Sequence, residues 1–277
     1  MRSKPLTSPV RYVVLVALCA AAHGARAQEG AAAPTSGNIE PKAIEILKTT
    51  CATMSAARTL SFTVVDTYEH AASNGQPLYY TVKSQVTLQR PNKLKILKIG
   101  DGVPDEFYYD GKTVMAYVPS QNVVAVADAP PTIDEMLSSA WEYAEIHFPF
   151  SDALVSDPCE ILRDVKSAFY VGQSKVIGGV TTDIVALALK DVQGEFWIDA
   201  VDHLPRMIRT YYPDEPAHAR YQTEYSDWQV NAPLDPSAFK SAKASAARRI
   251  AFQAPSTAGA PADATAEARP TPRGGTP

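Results

Sequence analysis

Few residues of this chain have the types and spacing that enzyme chemistry needs. The sequence contains no Gly-x-Ser-x-Gly nucleophile motif, no glycine-rich phosphate loop and no His-Glu-x-x-His metal motif. Four histidines follow residue 27, and their spacing matches no metal site: His70, His147, His203 and His218. We therefore predict that the protein is not an enzyme and has no catalytic residue, metal site or cofactor.

Arg90 is the residue with the clearest chemical potential, because it ends an apolar strand face. Val86 and Leu88 alternate on that face, Arg90 falls on the same side, and Pro91 then breaks the strand. Three roles remain open. The guanidinium can hydrogen-bond backbone carbonyls of covering helices and hold a cavity shut. It can pair with an anionic head group such as a carboxylate or phosphate, or it can simply reach water from a strand end.

After Arg90, the next candidate feature is a disulfide between Cys51 and Cys159. In an oxidising compartment they can form a disulfide, and closing a long loop in this way stabilises a fold by about 4 kcal/mol. The alternative is that both are small apolar side chains packed within helices. The sequence leaves both interpretations open.

The N-terminus has the layout of a secretory signal peptide. Basic residues precede an apolar run at 12–22, and Ala25-Arg26-Ala27 supplies a small-x-small cleavage site. A membrane anchor is the alternative, but the run is too short to span a bilayer. Cleavage removes four basic and no acidic residues, so the net charge moves from -4 to about -8. This acidic chain argues against nucleic acid as a partner and against docking on anionic membranes.

Four segments follow from these patterns. The boundaries rest on the cleavage site and on the composition of the C-terminal residues, which are mostly Ala, Pro, Gly and Thr. We predict a signal peptide at 1–27, a linker at 28–37, one folded domain at 38–252 and a disordered tail at 253–277.

Three helices are predicted from capping signals. The first begins at Pro41, a favoured first-turn residue, and carries one apolar stripe at helical spacing. The second follows a capping box formed by Thr132 and Glu135. A short third helix has Asp157 as its N-cap and Pro158 in its first turn. Each helix needs an apolar surface to cover.

The strands that must supply this surface are indicated by a period of two. Short turn sequences such as Asn74-Gly75 and Asp110-Gly111 separate several of them, which favours antiparallel hairpins. We predict about eleven strands, six before and five after a helical interruption. Their ranges are 60–69, 78–90, 93–99, 105–110, 113–118, 122–127, 167–176, 180–189, 193–199, 206–212 and 219–229.

So many strands in one succession do not form a flat sheet, so the sheet must curl. The concave face of a curled sheet is the surface available to the helices. The sequence therefore predicts a mainly β (α+β) fold. This fold is a curled, unclosed antiparallel β-barrel with an N-terminal helix and a helical plug or lid on its concave face.

Three sequence features in a fixed order carry a resemblance to a known fold. Arg90-Pro91 between two strands is followed by the turn Asp110-Gly111-Lys112 and a Val-rich strand at 123–126. In this the sequence resembles the LolA/LolB-like fold of periplasmic carriers of outer-membrane lipoproteins. It is also similar, across APPTIDEML, FPFSD, FWID and LPRMIRTYY, to an uncharacterised family of predicted periplasmic proteins with that fold. The resemblance implies that Arg90 governs holding or release of a ligand, whereas Leu94 stands where the carriers have an aromatic residue.

The function expected from this resemblance is binding of a hydrophobic ligand, a lipid or acyl chain. Such a ligand needs an apolar interior with a door, and burying a 16-carbon chain offers about 12 kcal/mol at about 0.8 kcal/mol per methylene. The alternative for the candidate lining residues is ordinary core packing. Together with Arg90, the candidates are Val86, Leu88, Leu94, Ile96, Met136 and Trp141.

The resemblance also implies the setting in which the protein works. We expect a monomer in the periplasm of a Gram-negative bacterium, where it binds or carries its ligand without catalysis. The alternative function is a sensor or interaction module of the cell envelope that binds a protein partner.

Overall fold

The structure, a computed structural model, describes residues 39–214 and 220–252. The predicted signal peptide at 1–27, linker at 28–37 and tail at 253–277 lie outside the described residues. Every helix and strand discussed below falls within the predicted domain at 38–252.

Within the described residues, twelve strands form one unclosed sheet. The strand order is β12-β6-β5-β4-β3-β2-β1-β11-β10-β9-β8-β7, and every neighbouring pair except β12 with β6 is antiparallel. The predicted mainly β, unclosed antiparallel fold is therefore confirmed. The strands are β1 Thr59–Ala71, β2 Pro77–Gln89, β3 Lys93–Gly100, β4 Asp105–Tyr109, β5 Thr113–Val118, β6 Val123–Asp128, β7 Ser167–Ser174, β8 Thr182–Ala188, β9 Gln193–Asp199, β10 Pro205–Tyr211, β11 Arg220–Val230 and β12 Arg248–Ile250.

The eleven strands from β1 to β11 match the predicted ones, but β12 was not predicted. It is three residues long and pairs in parallel with β6, so it has neither the length nor the hairpin turn that marks the other strands. At the opposite edge of the sheet, Ile39 forms a parallel bridge with Ala168 of β7, and the Glu40 amide donates to the Ala168 carbonyl oxygen at 2.8 Å.

The helices begin where the capping signals place them. Pro41 lies in the first turn of α1, and the Thr132 side chain accepts a hydrogen bond from the Glu135 amide at the start of α2. Asp157 accepts from the Cys159 amide and caps a short 3-10 helix. None of the helices within the described residues is long and apolar enough to cross a membrane. The α-helices are α1 Pro41–Ala56, α2 Ile133–Ala144 and α3 Ala242–Ala246, and the 3-10 helices are Pro119–Gln121, Ser151–Ala153 and Pro158–Asp164.

Two core clusters share one face of the sheet. Inward residues of β1 to β5 pack under α2 and the segment 146–154 that follows it, and we call this the first core cluster. The second core cluster lies where α1 covers β7, β8 and β9. Prominent members of the first are Phe62, Leu88, Leu94, Phe107, Met136, Phe150 and Leu154, and the second consists of Ala43, Leu47, Ala168, Val185, Leu187 and Ile198.

A third, smaller cluster lies on the opposite face. Tyr108 alternates with inward residues of β4 and packs with Tyr117, Val124 and the small residues Ala244 and Ala247 at α3. α3 therefore covers the outer face of β4 to β6, away from the two main clusters.

Candidate functional site

Arg90 is tied to the segment 146–156, which follows α2 and covers the first core cluster; we call this segment the cover. Its Nη1 donates a hydrogen bond to the backbone carbonyl oxygen of Leu154 at 2.7 Å. Its Nε and Nη2 are buried and make no hydrogen bond within the described residues. Burial lowers the pKa of Arg90, and the nearby Asp134 carboxylate opposes that effect. This is the geometry of the first predicted role, a bond to a backbone carbonyl of the cover.

Asp134 of α2 fixes the same segment from the other side. Its Oδ1 accepts hydrogen bonds from the Ser156 amide at 2.9 Å and from the Ser156 hydroxyl at 3.1 Å. Arg90 and Asp134 therefore hold two points of the cover, Leu154 and Ser156, to the end of β2 and to α2.

Five of the six predicted lining residues lie together in the first core cluster. Each is at most 1 % exposed, and they pack among the other large side chains of that cluster. Trp141 lies apart from these five, half-buried, with its ring edge-to-face with His147 at 5.9 Å between centroids. The five residues that come together are Val86, Leu88, Leu94, Ile96 and Met136.

The apolar cavity of this face is lined by other residues. It has a volume of about 60 Å³ and lies where α1, the 3-10 helix Pro158–Asp164 and strands β9 to β11 meet. The roof includes Leu47 and Met54 of α1 and Ile161 of the 3-10 helix, and the floor includes Phe196 and Ile208. The cavity therefore contacts members of both core clusters.

Cys51 and Cys159 meet at this roof. Both are free thiols, and the two side chains are hydrogen-bonded to each other. Burial is the main cause that raises the pKa of Cys51, and its contact with Cys159 adds to the effect. Cys51 lines the cavity together with Pro158, the residue before Cys159. The two thiols are therefore the point where α1 touches the 3-10 helix beside the cavity.

Three polar side chains lie along the inner face near the cavity. Asp66 is 4 % exposed and accepts a hydrogen bond from the Thr223 hydroxyl at 2.8 Å. Burial raises the pKa of Asp66 to about 7. Burial also raises the pKa of Tyr225, and the carboxyl groups of Asp66 and Asp152 raise it further. Tyr225 and Asp152 both line the cavity.

Asp152 is both accessible and deeply placed. Its side chain has a large exposed fraction, yet surrounding protein removes enough solvent to raise the pKa of its carboxyl group, which His147 opposes. Sequence reasoning missed Asp152 because it lies in a three-residue 3-10 helix, which is too short to show a period. Asp66, which follows Val64 on the inner face of β1, carried the same signal as Arg90, a charge on an apolar strand face.

A second charged cluster has a structural role. Arg206 pairs with Asp199 at 2.9 Å and with Asp202 at 2.5 Å, and Arg206 and Asp199 are largely buried. These residues join the ends of β9 and β10, where the FWID and LPR motifs lie. Across the described residues, no group of three or more His, Cys, Asp or Glu side chains is placed to hold a metal ion.

An open groove of about 230 Å³ lies at the other end of β1 to β3. Its wall includes the rings of Tyr68 and Tyr80, which stack with centroids 5.5 Å apart. Val103, which is 55 % exposed, also lines the groove. This end of the sheet therefore presents aromatic and aliphatic surface to solvent.

Several known structures are distantly similar to this chain. The MucA/MucB complex of Pseudomonas aeruginosa matches at 14% identity and a TM-score of 0.42, over 73% of this chain and 62% of that chain. LprF from Mycobacterium bovis matches at 15% identity and a TM-score of 0.44, over 72% and 97%. A LolA superfamily protein from Nitrosomonas europaea matches at 12% identity and a TM-score of 0.32, over 72% and 97%.

This chain spans less than two thirds of the MucB chains it matches, 64% in the case of MucB alone. No curated protein matches the sequence.

The sequence also matches a protein-family model. The family model DUF2092, described as a predicted periplasmic protein, matches residues 43–253, which is most of the chain and nearly all of the predicted domain. A periplasmic location agrees with the export that the signal-peptide pattern predicts. The chain belongs to the DUF2092 family of predicted periplasmic proteins.

Proposed function

We propose that this periplasmic protein binds a hydrophobic ligand, a lipid or acyl chain, in the cavity roofed by α1 and the 3-10 helix Pro158–Asp164. The observation that carries the proposal is the cavity itself, which lies within the inner face and is lined mainly by aliphatic and aromatic side chains. Binding in such a site requires no catalytic group, and we propose a carrier or binding role without catalysis.

The cavity must enlarge to hold an acyl chain. A volume of about 60 Å³ is only about twice the roughly 30 Å³ that one water occupies in the liquid, so it holds only a few methylene groups. Burial of a 16-carbon chain offers about 12 kcal/mol before ordering costs, which can offset separation of the roof from the floor. The roof is the element expected to move. α1 contacts mainly the 3-10 helix, β7 and β8, and has fewer contacts with β9 to β11, the strands that form the cavity floor.

Arg90 has a defined place in this proposal. Its hydrogen bond to Leu154 holds the cover over the first core cluster, two residues from the cavity-lining Asp152. We propose that Arg90 limits how far the cover opens. Val86, Leu88, Leu94, Ile96 and Met136 then form the packed wall that the ligand meets when the cover opens.

Extraction of the purified protein with organic solvent tests the proposal. We expect mass spectrometry of the extract to detect lipid in protein isolated from periplasm. Ile161→Phe adds volume at the roof and should lower the recovered lipid severalfold. Glu160→Phe is the matched control, because it adds the same ring at an exposed neighbouring position. Protein that is repeatedly free of lipid and takes up none on incubation would overturn the proposal.

The groove at Tyr68 and Tyr80 favours a second candidate function, binding of a protein partner. Its exposed apolar border is the kind of surface that interaction sites use. A stoichiometric protein recovered from periplasm by the wild type, and lost from Tyr80→Ser with Val103→Ser, would support this function. Recovery of lipid without such a protein would support the first.

A further inference from the structure

The roof of the cavity consists of two pieces that are attached differently. α1 packs against β7 and β8 as well as against the 3-10 helix Pro158–Asp164, whereas the main packing partner of the 3-10 helix is α1. Arg163 forms ion pairs with Asp157 and Glu160, which belong to the same segment. Each of the seven residues of the 3-10 helix keeps part of its surface exposed to solvent. The 3-10 helix is therefore the piece of the roof that can move, and it moves by parting from α1.

Cys51 and Cys159 meet where these two pieces touch, and we call the contact between α1 and the 3-10 helix the seam. Cys51 lines the cavity and is 7 % exposed, while Cys159 is half-buried in the 3-10 helix. The two free thiols are hydrogen-bonded to each other across the seam. A covalent bond at this point would join the movable piece of the roof to the anchored one.

On the premise that the cavity binds a hydrophobic ligand, we propose that Cys51 and Cys159 are a redox lock on ligand entry. As two thiols they leave the seam free to part, and the ligand enters between α1 and the 3-10 helix. As a disulfide they hold the seam closed, because a covalent bond then joins the two pieces of the roof. A ligand already inside is retained and one outside is excluded. The redox state therefore sets the rate of ligand exchange more than the affinity.

The oxidant that closes the lock is a second disulfide. Cys159 reacts first because it is the more exposed thiol, and its thiolate attacks one sulfur of the oxidant, which releases one thiol and leaves a mixed disulfide. Cys51 then loses its proton and attacks the Cys159 sulfur, which releases the second thiol. Two electrons and two protons pass from the cysteines to the oxidant. Burial raises the pKa of Cys51, so the second step is the slow one.

Uptake of a fluorescent fatty acid by the two redox forms tests the lock. Purified, delipidated protein is oxidised with glutathione disulfide or reduced with a phosphine, and mass spectrometry identifies the form present. Stopped-flow fluorescence then follows uptake and release of cis-parinaric acid. We expect the disulfide form to exchange this probe about tenfold more slowly or less, because opening of the seam is the step that admits it. The dissociation constant should stay nearly the same.

Two variants control for the reagents. Cys159→Ser cannot form the bridge and should exchange the probe at the fast rate after either treatment. Cys51→Ala leaves Cys159 able to take up glutathione but not to reach α1, and it should also exchange fast. A slow rate in oxidised Cys51→Ala would assign the effect to the glutathione adduct and overturn the lock.

Hydrogen exchange provides a readout that needs no ligand. The amides of the 3-10 helix should exchange more slowly in the disulfide form than in the dithiol form, because the helix is then fixed to α1. Equal exchange of these amides in the two forms would contradict the lock.

The outcomes separate the lock from the proposed function. Failure of the probe to bind either form would overturn the proposed function and the lock with it. Binding with equal rates in the two forms would overturn the lock alone, as would the absence of a bridge after oxidation.

Discussion

The Arg90 guanidinium donates from Nη1 to the Leu154 carbonyl oxygen at 2.7 Å, and this bond joins the end of β2 to the segment that follows α2. The two other guanidinium nitrogens are buried without a hydrogen-bond partner in the described part of the chain. A desolvated charge with unpaired donors contributes little net stability. The geometry therefore suits a residue that positions the cover rather than one that stabilises the fold.

Replacing Arg90 with leucine should change ligand exchange more than folding. The lost hydrogen bond is offset by the relief of two unpaired buried donors, so we expect the free energy of unfolding to change by less than about 1 kcal/mol. The rate at which bound lipid exchanges with labelled lipid should rise, because the cover loses one attachment. Urea denaturation and a lipid-exchange assay measure the two effects. Arg58→Leu, at an exposed arginine, is the control, and equal exchange rates in Arg90→Leu and wild type would contradict the prediction.

Stability should depend on pH through Asp66. Its pKa is about 7 in the folded protein against 3.8 as the ordinary value, so the folded state holds the proton more tightly. The free energy of unfolding should be constant below about pH 4, fall as pH rises toward 7, and level off above that, by up to about 4 kcal/mol in total.

Asp66→Asn tests this directly. The variant should lose most of the decline between pH 4 and 7 and be more stable than wild type at pH 8. Urea denaturation across this range measures the effect, with Asp128→Asn at an exposed position as the control. A wild-type stability that rises between pH 4 and 7 would be the opposite of the expected sign.

The Cys51–Cys159 disulfide remains a prediction, and the structure brings its two thiols into contact. Incubation with glutathione disulfide should oxidise the pair, with two protons and two electrons passing to the reagent as two molecules of reduced glutathione form. Mass spectrometry should then find the two peptides linked. The cross-link should add up to about 4 kcal/mol to the free energy of unfolding. Cys51→Ser is the control, and two alkylatable thiols after oxidation would show that the bridge does not form.

The N-cap of α2 gives a prediction about the stability of that helix. The Thr132 hydroxyl accepts from the Glu135 amide at 3.2 Å and donates to Glu135 Oε2 at 2.9 Å. Thr132→Ala removes both bonds and should cost about 1 kcal/mol in the free energy of unfolding. Thr132→Ser keeps the hydroxyl and should cost much less. Thermal denaturation compares the three proteins, and an alanine variant as stable as the serine one would contradict the capping role.

The strands were predictable because each carries its own local signals. A period of two with a turn sequence at each end fixes β1 to β11 without reference to the rest of the chain. Pro41, Thr132 and Asp157 likewise mark their helices locally. β12 carries no such signal, since its pairing partner β6 is over 100 residues away and its direction is parallel.

The site was predictable only in part, because a cavity is a property of side-chain fit. Alternation assigns Val86 and Ile96 to the inner face, but it does not say whether their neighbours interlock or leave a gap. The gap lies among residues from α1, a 3-10 helix and β9 to β11, which are distant in sequence. Asp66 and Arg90, by contrast, are visible in the sequence as charges on apolar strand faces.

Strands β6 and β7 each pair with backbone from one end of the described domain. β12 covers the edge of β6, and the Ile39 bridge covers part of β7. An uncovered edge is a template on which another molecule can add a strand. These short pairings therefore hinder self-association through the edges of β6 and β7. Shortening the domain at either end should therefore show itself as concentration-dependent aggregation before any loss of the core.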